Sequence, residues 1–155
     1  TRFYRDGAKY VGLFKFGKPH GFGTYYDSAG VKIYEGQFAK RKRHGTGTAF
    51  YPIGNKYVGQ FKFDKPHGFG ILYNRAGAKM YEGQYTEGSW HNGTRFYRDG
   101  AKYVGLFKFG KPHGFGTYYD SAGVKIYEGQ FAKRKRHGTG TAFYPIGNKY
   151  VGQFK

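Results

Sequence analysis

Short stretches of alternating large and small or polar side chains run along the whole chain. In residues 10–16, aromatic residues and one glycine occupy the even positions, while valine, leucine and lysine occupy the odd ones. A period of two is that of a β-strand, so Phe16 is expected on the same face as Tyr10. We expect a turn at 17–19, which contains glycine and proline, and a second strand at 21–26. The pattern predicts a β-hairpin, and no stretch has a capped helical period longer than about ten residues.

This hairpin recurs, because a tyrosine followed by Val-Gly or Glu-Gly returns every 22–24 residues. These tyrosines are Tyr10, Tyr34, Tyr57, Tyr81, Tyr103, Tyr127 and Tyr150. They divide the chain into the units 10–33, 34–56, 57–80, 81–102, 103–126 and 127–149, with half-units at 1–9 and 150–155. Tight turns rich in Asp, Asn and Gly are expected at 27–30, 52–55, 74–77 and 98–100. We therefore expect one continuous array over residues 1–155.

A longer repeat lies above the hairpin, since residues 94–155 duplicate residues 1–62 without a substitution. In arrays of this kind each unit packs on its neighbours. The sequence thus predicts an all-β fold, an elongated single-layer twisted antiparallel sheet of consecutive β-hairpins. Identity without drift is also typical of an engineered array, a recent duplication or an excerpt of a longer array, and the sequence leaves these three open.

The composition decides what such a sheet can use as a core. Among 155 residues there are 17 Tyr, 16 Phe and 28 Gly, with few aliphatic residues, so a thick aliphatic core is excluded. Aromatic side chains are favoured on sheet surfaces and bury large areas. We therefore expect an aromatic ladder made by the opening tyrosine and the aromatic residue four positions later. The ladder residues are Tyr10, Phe14, Tyr34, Phe38, Tyr57, Phe61, Tyr103, Phe107, Tyr127 and Phe131.

The charge is strongly unbalanced, with 27 Lys and Arg against 9 Asp and Glu and a net charge of +18. Such a field favours polyanions, including nucleic acid, acidic protein and phosphoinositide-rich membrane. Two interpretations of the basic residues near the hairpin tips stay open: a solubilising edge that resists strand pairing, or an anion- and lipid-binding stripe. The candidate residues are Lys18, Lys40, Arg41, Lys42, Arg43, Lys65, Lys111, Lys133, Arg134, Lys135 and Arg136.

Catalytic and metal chemistry is not indicated. Six histidines recur once per unit, but equivalent positions on successive hairpins lie two strand spacings apart, about 9.6 Å, too far to share a zinc ion. A structural role is expected for them, with a pH-sensitive column as the alternative. The nine acidic residues are scattered by the repeat, and no nucleophile stands beside a base. Since cysteine is also absent, we expect no enzyme, no metal and no cofactor.

The second unit shows the repeated motif in full. It reads Tyr-Glu-Gly-Gln-Phe at 34–38, a basic turn at 40–43, and His-Gly-Thr-Gly-Thr at 44–48. This pattern resembles the MORN repeat (membrane occupation and recognition nexus), and the resemblance extends over the whole chain. The resemblance implies an elongated β scaffold that binds proteins or lipids, often in cytoskeletal or ciliary proteins.

One unit, residues 81–102, departs from the motif. Ser89 and Trp90 replace its basic turn, and Asn92 replaces the first glycine after histidine. This is also the shortest unit and the one that contains the single tryptophan of the chain. We therefore regard Trp90 and Tyr85 as candidate protein contacts.

Two functions follow as hypotheses. We favour a non-catalytic scaffold that self-associates or holds partner proteins along an aromatic-lined ribbon, helped by open β edges at its first and last strands. The alternative is a module that binds anionic phospholipid, above all phosphoinositide, through the basic tips. Single-stranded nucleic acid is less favoured as a partner, because the aromatic residues are already required for the structure of the ladder. We expect an intracellular protein of the cytoplasm, the cytoskeleton or a membrane surface.

Overall fold

The computed structural model describes residues 1–145 and 147–155, and every regular element in these ranges is a β-strand. The strands are β1 (Arg2–Phe3), β2 (Lys9–Lys15), β3 (Lys18–Tyr26), β4 (Lys32–Ala39), β5 (Lys42–Phe50), β6 (Lys56–Lys62), β7 (Lys65–Tyr73), β8 (Lys79–Thr86), β9 (Ser89–Phe96), β10 (Lys102–Lys108), β11 (Lys111–Tyr119), β12 (Lys125–Ala132), β13 (Lys135–Phe143) and β14 (Lys149–Phe154). Residue contacts divide the chain into two compact units, Thr1–Lys79 and Met80–Lys155, so that β8 begins at the junction.

Within each unit the strands follow chain order and pair antiparallel with their sequence neighbours. The first unit contains β1 to β7 and the second β8 to β14, each as a single layer. We number the hairpins 1 to 6 as β2–β3, β4–β5, β6–β7, β8–β9, β10–β11 and β12–β13. The predicted all-β architecture of consecutive antiparallel hairpins is confirmed.

The turn inside hairpin 1 is shorter than the sequence predicted. Lys15 and Lys18 face each other across the strands, so only Phe16 and Gly17 form the loop. Both have positive φ, 52° and 74°, as a two-residue hairpin loop of type I′ requires. The predicted turn at 17–19 was therefore wrong, since its last two residues already belong to β3.

The face assigned to Phe16 was also wrong. Alternation holds as far as Phe14, whose ring centroid lies 5.1 Å from that of Tyr10. Phe16 is the first residue of the loop and has a φ of 52°, so it leaves the strand and stands at the tip in solvent. A strict period of two over 10–16 could not reveal this, because it assumes that the strand continues to residue 16.

The turns between hairpins lie where the sequence predicted them. At 27–30, the N–H of Asp27 donates to the Val31 carbonyl at 2.9 Å, and the N–H of Gly30 donates to the Asp27 carbonyl at 3.0 Å. The Asp27 carboxylate accepts from the N–H groups of Ala29 and Val31, both at 2.9 Å. Gly30 takes the positive φ of 82°. The acidic residue thus caps the turn with its side chain while glycine supplies the unusual backbone angle.

One face of each unit carries a row of buried tyrosines. A Cβ at Gly12 or Gly23 would overlap the Tyr10 side chain, so the ring lies where only paired glycines leave room. Its hydroxyl donates to the Leu13 carbonyl at 2.7 Å, which satisfies the polar end of the ring. The tyrosines buried in this way, each bonded to the carbonyl three residues on, are Tyr10, Tyr34, Tyr57, Tyr81, Tyr103 and Tyr127.

Phenylalanines join these tyrosines into a ladder within each unit. The ring centroid of Phe38 lies 5.0 Å from that of Tyr34 in its own hairpin and 5.0 Å from that of Tyr10 in the preceding one. Such tilted and edge-on pairs add about 0.5–1.5 kcal/mol each beyond the buried area. Phe14 meets a tyrosine on one side only and is 40% exposed. The phenylalanines that bridge two tyrosines are Phe38, Phe61, Phe107, Phe131 and Phe154.

Replacing Gly47 by Ala should destabilise the protein by about 1–3 kcal/mol, because the new Cβ would overlap the Tyr34 ring. Gly47 lies outside the left-handed region, so the loss reports the ring contact and not backbone strain. Urea unfolding followed by circular dichroism measures the change. Thr46→Ala, at an exposed neighbouring position, is the control and should stay within about 0.5 kcal/mol of wild type. Equal stability of Gly47→Ala and wild type would contradict the ladder's dependence on glycine.

Stability should fall in alkaline solution. Burial raises the pKa of Tyr34 and Tyr81 to about 12, against about 10 in an unfolded chain. Above pH 10 the unfolded state loses these protons while the folded state keeps them, so the stabilisation is complete below pH 10 and is lost from pH 10 to 12. Urea midpoints should decline over that window, and Tyr34→Phe should reduce the decline. Midpoints that stay constant up to pH 12 would be inconsistent with buried, protonated hydroxyls.

Candidate functional site

Each hairpin ends in a two-residue tip. The tips are Phe16-Gly17, Lys40-Arg41 and Phe63-Asp64 in the first unit and Glu87-Gly88, Phe109-Gly110 and Lys133-Arg134 in the second. All of these residues have positive φ. The structure thereby splits the predicted basic clusters, because Lys40 and Arg41 form a tip whereas Lys42 and Arg43 begin β5. Residues 133–136 are divided in the same way between a tip and β13.

Three tips carry a phenylalanine that the sequence reasoning did not identify. Phe16, Phe63 and Phe109 have φ of 52°, 48° and 54° and are 90%, 65% and 87% exposed. The left-handed region disfavours bulky side chains, and this loop type prefers Asn, Asp or Gly. Their backbone is strained and their rings are exposed, so these residues add little to the stability of the fold, which favours a functional role. Lys40 and Glu87 in the same slot of sister hairpins could have given the signal, since they mark it as a polar position.

Pairs of lysines stand directly behind the phenylalanine tips. Lys15 faces Lys18 in hairpin 1, as Lys62 faces Lys65 in hairpin 3 and Lys108 faces Lys111 in hairpin 5. Like charges in directly opposed positions destabilise a sheet. The predicted Lys18, Lys65 and Lys111 are therefore halves of repulsive pairs, and an anion between the two ammonium groups would relieve the repulsion.

Clefts open between neighbouring tips and collect these groups. One of about 340 Å³ is lined by Lys15, Phe16, Lys18, His20 and Lys40. The next, of about 320 Å³, is lined by Ala39, Lys40, Lys42, His44 and Phe63. The second unit has one of about 240 Å³ with Lys108, Phe109, Lys111, His113 and Lys133. Each cleft joins residues of two neighbouring hairpins and combines two or three lysines with one histidine and one exposed phenylalanine, an arrangement that suits an anionic group next to an apolar one.

The side chain of Arg43 is bonded to other parts of the fold. Its Nε donates to Asp64 Oδ1 at 2.7 Å and its Nη2 donates to the Asp64 carbonyl at 2.7 Å. The guanidinium also lies 5.7 Å from the Tyr34 ring and 5.1 Å from the Phe61 ring. It thus ties the base of one tip to the next tip, whereas the side chain of Arg41 is exposed.

Trp90 lies in the register position that Arg43 has in hairpin 2. It is opposite Tyr85, as Arg43 is opposite Phe38. Its ring stacks on Tyr81 at 4.6 Å with parallel planes, so the indole covers the ladder tyrosine where a guanidinium does so elsewhere. This explains why the basic turn could be lost in this hairpin. A contact of Trp90 and Tyr85 with a partner protein stays a prediction.

A second row of lysines begins the first strand of each hairpin, at the end opposite the tips. Lys9 Nζ lies 4.6 Å from the Tyr26 ring, and Lys102 lies 5.0 Å from the Tyr119 ring. Lys32 makes a 2.7 Å ion pair with Glu35, which raises the pKa of the lysine. Aromatic rings and carboxylates therefore lie against much of the positive charge at this end. At the tips, Lys15, Lys62 and Lys108 lie 5.6–5.8 Å from the phenylalanine rings beside them, and their partners across the strands are lysines.

The six histidines stand one per hairpin behind the tips, and His44 packs 6.0 Å from Phe63. Across residues 1–145 and 147–155, no three His, Cys, Asp or Glu side chains converge as metal ligands would. The same ranges contain no helix that is long and apolar enough to cross a membrane.

A comparison with protein families identifies the repeat. The model of the MORN repeat matches residues 10–31, 34–56, 57–78, 103–124 and 127–149, which together are more than half of the chain. The matched ranges leave out 81–102, the unit in which Trp90 replaces the basic residue. A search of curated proteins found no match. MORN repeats are non-enzymatic modules that generally mediate protein or membrane interactions. The chain belongs to the MORN repeat family.

Proposed function

We propose that this protein is a non-catalytic docking module that binds anionic phospholipid surfaces through its tip edge. The tip edge consists of the phenylalanine tips, the lysine pairs behind them and the basic tips Lys40-Arg41 and Lys133-Arg134. The observation that carries the proposal is the exposure of Phe16, Phe63 and Phe109 in strained tip positions between lysine pairs.

The two components of the tip edge act on different parts of a bilayer. A phenylalanine ring inserted at the boundary of headgroups and acyl chains buries apolar surface, and each lysine near an anionic leaflet adds about 1 kcal/mol. Neither the insertion of the ring nor the attraction of the lysines alone gives firm attachment, and stable docking requires both. The clefts, each with two or three lysines and a histidine, suit multiply charged headgroups, such as those of phosphoinositides.

Changing all three tip phenylalanines to Asn should weaken binding to vesicles of phosphatidylcholine with phosphatidylinositol bisphosphate by about tenfold or more. Asn tolerates the positive φ of these positions, so folding should be retained or improved. The control is the triple variant Val31→Asn, Ile53→Asn and Val124→Asn, which removes exposed apolar residues from the turns between hairpins. It should bind these vesicles as wild type does.

Cosedimentation at increasing salt completes this test. Binding should require the anionic lipid and fall steeply with salt, and an excess of single-stranded oligonucleotide should compete weakly. Wild-type affinity in the Phe→Asn variant would refute docking through the tips. Binding to oligonucleotide that is tighter than binding to vesicles, and equally lost with the phenylalanines, would assign the edge to nucleic acid instead.

A second candidate function, self-association as a scaffold, is favoured by the face opposite the ladder. In hairpin 2 the Gln37 Oε1 accepts from the Thr46 N–H at 2.9 Å, and Gln60 and Gln130 make the equivalent bond in hairpins 3 and 6. Hairpins 1 and 5 have Leu13 and Leu106 in this place. Each lies among further exposed apolar residues, namely Val11 and Phe22 in hairpin 1 and Val104 and Phe115 in hairpin 5. A second copy of the chain is the occupant that we propose for these patches.

The double variant Leu13→Gln and Leu106→Gln should abolish concentration-dependent self-association in light scattering. Glutamine restores the side-chain bond of the sister hairpins, so stability should be unchanged or higher by about 0.5–1.5 kcal/mol. A wild-type protein that stays monomeric at all concentrations would refute self-association. Both candidate functions fit a protein of the cytoplasm, the cytoskeleton, a cilium or a membrane surface, which is the setting that the family resemblance implies.

A further inference from the structure

We infer that the ladder face of the first unit holds a binding cleft for an acidic protein segment, which meets the tip edge only at Arg41 and Asp64. The cleft has a volume of about 440 Å³ and is lined by Tyr4, Tyr25, Ile33, Tyr34, Phe38, Arg41, Arg43 and Asp64. Tyrosines form one wall, the ladder forms the floor, and two arginines with one aspartate close the end near the tips. The occupant would lie across the aromatic floor with its carboxylates at the arginine end.

The floor of the cleft is rigid. Tyr34 is fully buried, its hydroxyl donates to the Gln37 carbonyl at 2.8 Å, and its ring packs 5.0 Å from that of Phe38. Tyr4 and Tyr25 stand at its side with centroids 6.0 Å apart. Rigid aromatic surface binds apolar side chains at a low entropic cost, which is why Tyr is frequent in binding sites. Tyr34 and Phe38 are themselves buried, so the half-buried Tyr4, Tyr25 and Ile33 supply the surface that suits an apolar or aromatic residue in the centre of the segment.

The charges at the arginine end select an acidic ligand. Arg43 is held by Asp64 through two bonds and stacks between Tyr34 and Phe61, so it is fixed and largely neutralised. Arg41 is exposed, and no carboxylate of residues 1–145 and 147–155 is seen to pair with it. Its backbone N–H donates to the Pro19 carbonyl at 3.2 Å, which anchors the turn beneath the free guanidinium. The cleft thus has one positive charge in excess, on a side chain with its donors available.

The other end of the cleft differs in polarity. Burial, followed by the negative charge of Asp6, raises the pKa of Tyr25. Its hydroxyl is protonated at neutral pH and can donate, whereas the nearby carboxylate disfavours a carboxylate of the ligand, so the acidic residues of the segment belong at the arginine end. An acceptor on the segment would be satisfied there, while its carboxylate pairs with Arg41. The same residue types recur in the second unit as Tyr97, Tyr118, Ile126, Tyr127, Phe131, Arg134 and Arg136. Tests must therefore change both copies.

The sister hairpins supply a matched pair of variants. Hairpin 3 has Asp64 in the slot of Arg41, and hairpin 4 has Glu87 in the slot of Lys40, so both charge reversals are compatible with the turn. The test variant is Arg41→Asp with Arg134→Asp. The control is Lys40→Glu with Lys133→Glu, which makes the same change of net charge one residue away, outside the lining of this cleft.

The probe is a labelled hexapeptide, Ser-Ser-Trp-Leu-Glu-Glu, with its binding followed by fluorescence anisotropy in the absence of lipid. We expect the arginine variant to lose about tenfold or more in affinity and the lysine control no more than about threefold. A Ser-Ser-Trp-Leu-Lys-Lys peptide should not bind, and replacing Trp-Leu by Ser-Ser should weaken binding to wild type.

Three results would overturn the inference. Equal losses of affinity in the two variants would mean diffuse attraction of the peptide to a cationic protein. Equal binding of the basic peptide would mean apolar adhesion. No binding of the acidic peptide would mean that the cleft does not bind an acidic segment. Because the assay contains no lipid, failure of membrane docking leaves its outcome unaffected. Circular dichroism and urea unfolding of both variants verify that each is folded.

Discussion

The whole structure depends on a tyrosine ring seated over a pair of glycines. A single-layer sheet has no second layer to cover its face, so it must bury apolar surface against its own backbone. Gly12 and Gly23 leave the space that Tyr10 fills, and the bond from its hydroxyl to the Leu13 carbonyl removes the penalty of burying a polar atom. A methyl group at either glycine would displace the ring. The same constraint accounts for the abundance of Gly and Tyr and for the scarcity of aliphatic residues in the chain.

This way of burying surface separates the roles of different parts of each hairpin. The middle of the strands is reserved for the ladder, and Phe38 and its equivalents link one hairpin to the next. The tips contribute little to that core, so they can tolerate phenylalanine with positive φ and lysines face to face. Function is therefore best sought in the residues that the ladder does not need, namely the tip edge, the apolar patches on the opposite face and Arg41.

The sequence predicted what depends on residue type at a fixed spacing, and it failed where geometry is set by contacts across strands. The all-β fold, the ladder tyrosines and the turns capped by Asp27 follow from periodicity and turn chemistry. The tip at Phe16 does not, because strand pairing ends at Lys15 and Lys18, and alternation alone does not mark where a strand gives way to a two-residue loop. The position of Trp90 was equally hidden. An indole and the Arg43 guanidinium are chemically different groups, and only the structure reveals that each lies against a ladder tyrosine.

The clasp between Arg43 and Asp64 has a consequence for how such an array can change its length. Arg43 behind the tip of hairpin 2 binds Asp64 in the tip of hairpin 3, so these two hairpins form a matched couple. Deleting hairpin 3 alone, or inserting a hairpin between the two, would leave the arginine without its acid. Copying or removing both hairpins together keeps the arginine beside its aspartate. The repeat distance of 93 residues spans four opening tyrosines and so includes both hairpins of the couple.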